Sequence, residues 1–268
     1  MEFKDKVYIV TGSSQGVGKE LAKQLCEKGA KVVLNGRNKE KLTKVKSEFD
    51  LSNHSTLAVS ADISSADDCK RLINETIDAF GQLDGLINNG SITMNEQIEK
   101  MDGSLFQKIF ASNSMGAVLT TLEALPFLKK SKGSVIFLSS LAGVHGLPSA
   151  SAYSMGKMSL TAFWQSLRIE LVNTGVHFGI CYLSFTENEK SKRMVTANGD
   201  LIPVPERPKF MVQSREKVAK EILSMIKRRK SKKIMSLIGK STVFVMRHFP
   251  ALVNFIIRNA QKRKMPMN

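Results

Sequence analysis

Short apolar runs alternate with amphipathic segments over the first two thirds of the chain. Val7–Val10 is apolar and mostly β-branched, and Val17, Leu21 and Leu25 follow at helical spacing before Gly29. The same pattern recurs and predicts strands at 31–35, 56–60, 84–88, 133–140 and 175–184, and helices at 39–49, 65–80, 105–128 and 152–172. Apolar strands separated by amphipathic helices are typical of a parallel sheet covered on both faces. The pattern therefore predicts a single-domain α/β fold with a doubly wound parallel sheet in three layers.

The basic charge of the chain is concentrated near its C-terminus. The net charge is +16, and residues 207–268 contain 17 Lys and Arg against only Glu216 and Glu221. We therefore expect residues 1–206 to form the dinucleotide-binding and catalytic unit. Residues 207–268 would be a basic, apolar extension, either part of the same domain or a peripheral membrane or oligomer contact. Such a charge favours an anionic partner.

The three cysteines, Cys26, Cys69 and Cys181, are far apart and lack the spacing of metal ligands. An odd number of cysteines fits a reducing compartment with free thiols. No apolar leader is visible before the first strand, which favours a cytoplasmic protein, either free or peripheral to a membrane. We therefore expect no metal site.

A glycine-rich turn joins the first predicted strand to the first predicted helix. Glycines at positions 12, 16 and 18 allow a tight turn and a close approach of a pyrophosphate to the helix N-terminus. This context favours a dinucleotide-binding turn over a turn without a ligand.

The second predicted strand ends in Gly36 and Arg37, where NAD-binding units often carry an acidic residue. An arginine can pair with a 2′-phosphate, and no carboxylate repels that phosphate. Arg37 therefore favours NADP over NAD, and the alternative is a solvated surface arginine.

Tyr153 and Lys157 lie four positions apart in a predicted helix and so share one of its faces. The pKa of a free tyrosine is about 10, and a nearby ammonium together with an oxidised nicotinamide would lower it. Ser140 ends a predicted strand, where its hydroxyl can hold a substrate oxygen. The alternatives are a packing tyrosine and a solvated lysine, but the glycine turn, Ser140 and Asn113 together favour catalysis.

These motifs occur in an ordered series, with Tyr153 thirteen positions after Ser140. The series is Thr11-Gly12-x3-Gly16-x-Gly18, Asp62, Asn88-Asn89-Gly90, Asn113, Ser140 and Tyr153-x3-Lys157. In this respect the chain resembles the short-chain dehydrogenase/reductase family over about residues 4–180.

The resemblance implies a Rossmann fold and an NADP(H)-dependent oxidoreductase with Tyr153 as the acid–base residue. It implies that Ser140 steadies the substrate oxygen, that Asn113 positions a water, and that Lys157 reaches the nicotinamide ribose. Asp62 and Ile63 would meet the adenine, and Asn89 and Gly90 would line the cofactor near its adenosine ribose. The alternative for Asp62 is a cap of the helix that begins at Ser65. The cofactor-binding residues expected in this way are Gly12, Ser14, Gln15, Gly16, Val17, Gly18, Arg37, Asp62, Ile63, Asn89, Gly90, Tyr153 and Lys157. By the same analogy, the protein would form a dimer or tetramer through its long helices.

The chain departs from the family pattern in two segments. Ser91 stands where the family has glycine after the fourth strand. After the sixth strand, Leu183, Ser184 and Asn188 replace the usual proline, glycine and threonine. In the family that loop contacts the nicotinamide carboxamide, and here backbone groups, Thr186 or Asn188 would take over. His145 lies in a predicted loop that borders the substrate or is simply exposed.

Residues 234–268 combine apolar runs with basic clusters, and Lys240, Arg247, His248 and Pro250 rule out a membrane-spanning helix. The segment instead suits a membrane interface. The side chains expected to face the lipid are Val243, Phe244, Met246, Phe249, Leu252, Phe255 and Ile256. The alternatives are packing on the sheet edge, a wall of the substrate pocket, or a subunit contact. Nucleic acid is a less favoured partner because apolar residues separate the basic clusters.

The leading prediction is therefore an NADP-dependent carbonyl reductase or alcohol dehydrogenase. An apolar tail near the active-site end suits an apolar substrate: a lipid-like, steroid-like or long-chain ketone or alcohol. Two alternatives remain, a cofactor-binding sensor or scaffold that has lost catalysis, and a membrane-surface adaptor that acts through the basic tail.

Overall fold

The computed structural model describes residues 2–189 and 192–262. Within these residues the strands are β1 (Val7–Val10), β2 (Lys31–Gly36), β3 (Thr56–Ser60), β4 (Gly85–Asn88), β5 (Ser134–Ser140), β6 (His177–Leu183), β7 (Arg193–Val195), β8 (Leu201–Pro203) and β9 (Lys232–Ile234). The α-helices are α1 (Gly16–Glu27), α2 (Lys39–Asp50), α3 (Ala66–Phe80), α4 (Gly103–Phe110), α5 (Gly116–Ser131), α6 (Ser151–Glu170), α7 (Arg215–Lys227), α8 (Leu237–His248) and α9 (Pro250–Lys262).

Seven of these strands form one parallel sheet in the order β3-β2-β1-β4-β5-β6-β9. The chain moves outward from β1 in one direction through β2 and β3, and then in the other direction from β4 onward. The strand order therefore reverses between β1 and β4, and in open α/β sheets ligands bind at the carboxyl ends beside this point. The predicted doubly wound parallel sheet is confirmed.

Two apolar layers cover the sheet, because its central strands are buried on both faces. One layer contains Leu21 and Leu25 of α1, Leu42 and Val45 of α2, and Val218 and Ile222 of α7. The other contains Leu72 and Ile73 of α3, Ala124 and Leu128 of α5, and Leu160 and Trp164 of α6. This arrangement matches the predicted three-layer architecture.

The helix predicted over residues 105–128 is interrupted. Asp102 caps the N-terminus of α4 by accepting from the amides of Ser104 and Leu105. A π-helical turn, Ala111–Met115, then separates α4 from α5. The turn places Asn113 inside the protein, where its side-chain amide bonds the backbone of Ile92. Periodicity alone does not reveal such an insertion, because the apolar pattern continues on both sides of it.

Residues after 206 contribute to the body of the fold. Helix α7 packs against α1 through Val218 and Ile222, both fully buried. Strand β9 pairs with β6, with Ile234 opposite Tyr182. Helices α8 and α9 are different, since their buried residues are only Gly239, Val243 and Val253. The last six residues of the predicted tail, 263–268, lie outside the described residues.

Candidate active site

The catalytic candidates meet at the carboxyl end of the sheet. Ser140 is the last residue of β5, and Tyr153 and Lys157 lie on the first turns of α6. A short 3-10 turn after β5 reverses the chain, and the Ser140 hydroxyl caps it by accepting from the amide of Ala142, at 3.2 Å. The structure therefore brings together the serine, tyrosine and lysine that the sequence predicts as one group.

Lys157 is nearly buried, with 3% of its surface exposed. Its Nζ donates to the backbone oxygen of Leu138, at 2.9 Å, and lies 5.9 Å from the centroid of the Tyr153 ring. Burial, helped by the positive charge of Lys192, lowers the pKa of Lys157 to about 8. The ammonium is therefore fixed beside the phenol and loses its proton at mildly alkaline pH.

The pKa of Tyr153 moves in the opposite direction to the one expected. Burial raises the pKa of the phenol, and the hydroxyl of Ser140 opposes that rise only in part. The expected lowering by Lys157 is not found in the protein alone, because loss of hydration disfavours the phenolate. At neutral pH Tyr153 is therefore a protonated phenol, the form that can give a proton to a carbonyl oxygen.

Asn113 is buried in the π-helical turn. Its Oδ1 accepts from the amide of Ile92 at 2.6 Å, and its Nδ2 donates to the Ile92 oxygen at 2.8 Å. A Cβ on Gly156 of α6 would lie 2.8 Å from the Asn113 Cβ, so the turn packs closely on the helix that carries Tyr153. The Asn113 side chain thus fixes the loop after β4, and its role in positioning a water stays a prediction.

The glycine-rich turn leads from β1 into α1. Gly12 and Gly16 have positive φ angles of 64° and 62°, which favour glycine. A Cβ on Gly18 would overlap the carbonyl oxygen of Gly12, whereas a Cβ on Gly16 would meet no atom within 4 Å. The turn is therefore closely packed between Gly12 and Gly18 and open at Gly16, where α1 begins. Ser14, Gln15 and Val17 are the other residues of this turn.

Asn89 and Thr11 hold the glycine turn against the end of β4. Asn89 Nδ2 donates to the oxygens of Thr11 and Gly12, at 2.9 and 3.0 Å. The Thr11 hydroxyl accepts from the amides of Asn89 and Gly90, both at 3.0 Å. The side chain of Ile63 packs against Gly90, since a Cβ there would lie 2.6 Å from Ile63 Cδ1. These residues line the switch point, and the Asn89 amide is engaged in building it.

Arg37 and Asp62 lie together at the end of β2. Arg37 Nη1 is 3.9 Å from Asp62 Oδ2, and both side chains are well exposed. Asp62 Oδ1 accepts from the amide and hydroxyl of Ser64, whereas Ser65 caps α3, so Asp62 is not the cap of that helix. A Cβ on Gly36 would lie 3.2 Å from the Ser14 hydroxyl, so a larger residue there would crowd the glycine turn.

Two residues that the sequence did not single out lie at the start of α1. Glu189, in the loop after β6, accepts from the amide of Gly16 at 2.8 Å. Arg215, the first residue of α7, donates to the same carboxylate oxygen at 2.8 Å. The N-terminus of α1 therefore binds a carboxylate in this structure. The same N–H donors can also bind a phosphate. The turn therefore fits the phosphates of a dinucleotide.

The loop after β6 is tied to the segment before α7. The Ser184 hydroxyl donates to Gln213 Oε1 and shares a hydrogen bond with the Ser236 hydroxyl, each at 3.2 Å. Thr186 Oγ1 donates to the oxygen of Ser184, whereas Asn188 is exposed. Which of these residues takes the place of the family threonine stays a prediction, as does the tolerance of the exposed Ser91.

His145 lies on a different side of α6 from Tyr153. It lines a cavity of about 650 Å³ together with Met155 and Met158 of α6 and Ile257 and Arg258 of α9. The cavity is bounded by the tail helix rather than by Tyr153 and Lys157. A role for His145 in the chemistry has no support from this position.

A family model for short chain dehydrogenases matches residues 6–198 of the chain. This chain belongs to the short-chain dehydrogenase family. One relative is 11-beta-hydroxysteroid dehydrogenase 1A of Arabidopsis thaliana, which is 34% identical to this chain over 200 residues. The matched residues cover 74% of this chain and 57% of that relative. The chain spans less than two thirds of the length of the curated relatives that it matches.

Solved structures of other dehydrogenases share the fold. One from Burkholderia phymatum, in complex with NAD, has a TM-score of 0.81 at 17% identity and covers 100% of this chain and 98% of its own. An alcohol dehydrogenase from Thermococcus sibiricus, complexed with 5-hydroxy-NADP, has a TM-score of 0.73 at 19% identity. The match covers 86% of this chain and 95% of that dehydrogenase. At such identities the likeness establishes the fold, and the predicted Rossmann class is confirmed.

Proposed function

We propose that this member of an oxidoreductase family interconverts a carbonyl and an alcohol with NADP(H). The observation that carries the proposal is that Ser140, Tyr153 and Lys157 lie at the same carboxyl edge of the sheet as a glycine turn whose Gly16 amide donates to a carboxylate. Bound NADPH would supply a hydride to the substrate carbonyl carbon. The glycine turn, Arg37 and Asp62 would hold its nucleotide part.

The residues of this chain act on the substrate oxygen. The protonated phenol of Tyr153 donates its proton to that oxygen, and the Ser140 hydroxyl bonds the same oxygen and steadies it. The Lys157 ammonium stabilises the phenolate that is left behind. In alcohol oxidation the same groups work in reverse, with the phenolate as the base.

The preference for NADP rests on the end of β2. Arg37 is half exposed and can exchange its pairing with Asp62, 3.9 Å away, for a 2′-phosphate, and the end of β2 at Gly36 carries no carboxylate of its own. The relatives named after steroid dehydrogenation and the surroundings of Tyr153 support an apolar substrate. Tyr153 packs against an apolar cluster formed by Ile92, Met94, Ile109, Ala152 and their neighbours. A polar substrate would lose hydration there without new partners.

The experiment is a spectrophotometric assay of NADPH and NADH oxidation with three ketones: a steroid, a long-chain ketone and a small keto acid. We expect NADPH to be consumed with an apolar ketone, and a Ser140→Ala variant to be at least about tenfold slower. Tight NADPH binding without turnover of any ketone would instead favour the sensor or scaffold alternative.

We further propose that α8 and α9 lie on an anionic membrane surface. None of the helices in the described part of the chain is long and apolar enough to cross a membrane. Yet Phe244, Phe249, Leu252, Phe255 and Ile256 are each at least half exposed. Of the other side chains predicted to face lipid, Val243 is buried in the protein and Met246 is half-buried. Exposed apolar groups beside Arg247, Arg258 and Lys262 suit a lipid interface.

Co-sedimentation with vesicles tests the membrane proposal. The protein should bind vesicles that contain phosphatidylserine, and high salt should weaken binding. The double variant Leu252→Ser/Phe255→Ser should lose most of it, whereas Leu51→Ser, which removes an exposed leucine on the other side of the fold, should not. Equal binding by both variants would contradict the proposal.

Exposed apolar residues on α5 and α6 support a homo-oligomer. Leu122, Met155 and Met158 are each more than 40% exposed on these helices. Sedimentation velocity should give a dimer or tetramer, and Leu122→Glu should shift it toward the monomer.

A further inference from the structure

The start of α1 holds a carboxylate that comes from a distant part of the chain. Glu189 Oε1 accepts from the Gly16 amide and from Arg215 Nη1, both at 2.8 Å. Glu189 and Arg215 are each about 30% exposed at the side chain, so the pair is partly shielded from water. Two donors from separate elements therefore converge on one oxygen.

This position favours an anion for reasons independent of Glu189. The first amides of α1 have no partners within the helix, and Gln15, at its N-cap, makes no side-chain bond to them. Arg215 Nε is buried and has no hydrogen-bond partner among the described residues. A carboxylate satisfies only part of this donor set, whereas a phosphate offers more oxygens to it.

We propose that Glu189 is an internal substitute for a nucleotide phosphate, and that Arg215 is a phosphate-binding residue. The inference rests on the proposed NADP(H)-dependent function. When the nucleotide binds, a phosphate oxygen replaces Glu189 Oε1 at the Gly16 amide and at the Arg215 guanidinium. Glu189 must leave, because a carboxylate and a phosphate at one oxygen position repel each other.

Replacement of Glu189 by a phosphate would also affect the loop after β6. Glu189 follows directly on residues 183–188, the segment that departs from the family pattern. That segment is anchored at Gln213, whose amide donates to the oxygen of Phe185 at 2.9 Å and whose oxygen accepts from Glu187. Release of Glu189 therefore frees one end of a loop whose other end stays tied, so that nucleotide binding sets the position of this loop.

The test is a calorimetric titration of NADP+ and NADPH into the full chain and its variants, without substrate. Glu189→Gln removes the competing charge, so the Kd should fall about tenfold. Arg215→Gln removes a phosphate donor, so the Kd should rise about tenfold, and Glu189→Gln/Arg215→Gln should bind more weakly than Glu189→Gln alone. Glu189→Ala is a second variant with the same expected direction as Glu189→Gln, and thermal unfolding checks that each variant is folded.

Glu48→Gln is the matched control. Glu48 lines the same groove beside α1 as Glu189 and Arg215 and pairs with Lys19, at 2.6 Å, but it makes no hydrogen bond to Gly16. Glu48→Gln removes the same charge as Glu189→Gln but no bond at the Gly16 amide. A change of less than about twofold in the Kd for NADP(H) is therefore expected. Equal effects of Glu48→Gln and Glu189→Gln would overturn the role of Glu189. A gain of affinity in Arg215→Gln would overturn the role of Arg215, since that residue would then only anchor Glu189.

The outcomes also separate this inference from the proposed function. Binding by the unmodified protein with no gain in the Glu189 variants would overturn the inference alone. If neither the unmodified protein nor Glu189→Gln bound NADP(H) or NAD(H) at millimolar concentration, the proposed function and the inference would both fail.

Discussion

Tyr153 and Lys157, on the first turns of α6, are held by contacts within β5 and α6, whereas Arg37, after β2, and Glu189, at the start of α1, are more exposed and paired with other side chains. Lys157 is 3% exposed and bonded to a backbone oxygen in the sheet. Arg37 faces Asp62 across 3.9 Å, with half of its side chain in water. The proposed catalytic end, Tyr153 and Lys157, is therefore set by the core of the protein, and the proposed nucleotide end, Arg37 and Glu189, by contacts that a ligand can replace.

The difference reflects what each end has to do. A proton donor must be fixed relative to the reacting atoms, and a buried lysine beside a half-buried phenol stays in place. A phosphate site must be open when empty, and its donors then take other acceptors. We therefore expect substitutions at the catalytic end to change turnover, and those at the nucleotide end to change affinity.

The largest expected effect comes from removing the phenol oxygen. Tyr153→Phe keeps the ring that packs against the apolar cluster but has no proton to donate. We expect kcat to fall by about 10³-fold, within the usual contribution of general acid–base catalysis. Steady-state rates of ketone reduction and calorimetric Kd values measure the two effects separately.

The cofactor Kd should change by less than about twofold in this variant, because the nucleotide end is left intact. Met158→Leu, an exposed position on the same helix, is the control for general damage to α6. A Tyr153→Phe enzyme with nearly unchanged kcat would show that the buried end is not the catalytic one.

The sequence predicted the grouping of Ser140, Tyr153 and Lys157 because these residues lie close together along the chain. Tyr153 and Lys157 share one helix face at any i, i+4 spacing, and the strand before them ends at Ser140. Strands β1 to β6 were likewise predicted to within two residues, since each is a short apolar run between polar segments. Local patterns were sufficient for these features.

Features that depend on tertiary contacts were missed. Glu189 lies 173 positions from Gly16, and Arg215 is simply the first residue of a helix, so no local pattern connects them. The π-helical turn at Asn113 depends on the backbone of Ile92, which lies in a different segment. The raised pKa of Tyr153 depends on burial, which the sequence does not quantify.

The pH dependence of ketone reduction sharpens the comparison further. The pKa of Lys157 is about 8 in the free protein, and reduction needs its ammonium beside a protonated Tyr153. Below about pH 7 both groups are protonated, so kcat/KM should be constant there, and it should fall to about half near pH 8 and about tenfold by pH 9 as the ammonium loses its proton. Initial rates between pH 6 and 10 measure this profile.

The conservative variant Lys157→Arg is the control for the pH profile. A guanidinium stays charged throughout this range, so the alkaline fall should disappear even if the overall rate is lower. If kcat/KM of the unmodified enzyme stayed constant up to pH 10, the charge on Lys157 would not be needed for the reaction.

The smallest effect is expected at the exposed arginine of the nucleotide end. Arg37→Gln removes a charge that would pair with the 2′-phosphate, but water screens a half-exposed side chain, so the Kd for NADPH should rise only about fivefold. The Kd for NADH should stay within about twofold, because NADH lacks that phosphate, and calorimetry with both cofactors gives the ratio. Lys39→Gln removes an equal charge from an exposed position two residues later and should affect neither cofactor. If Arg37→Gln weakened NADPH and NADH equally, Arg37 would contribute only general positive potential, and selectivity for NADP would have to come from another residue at this end of the cleft.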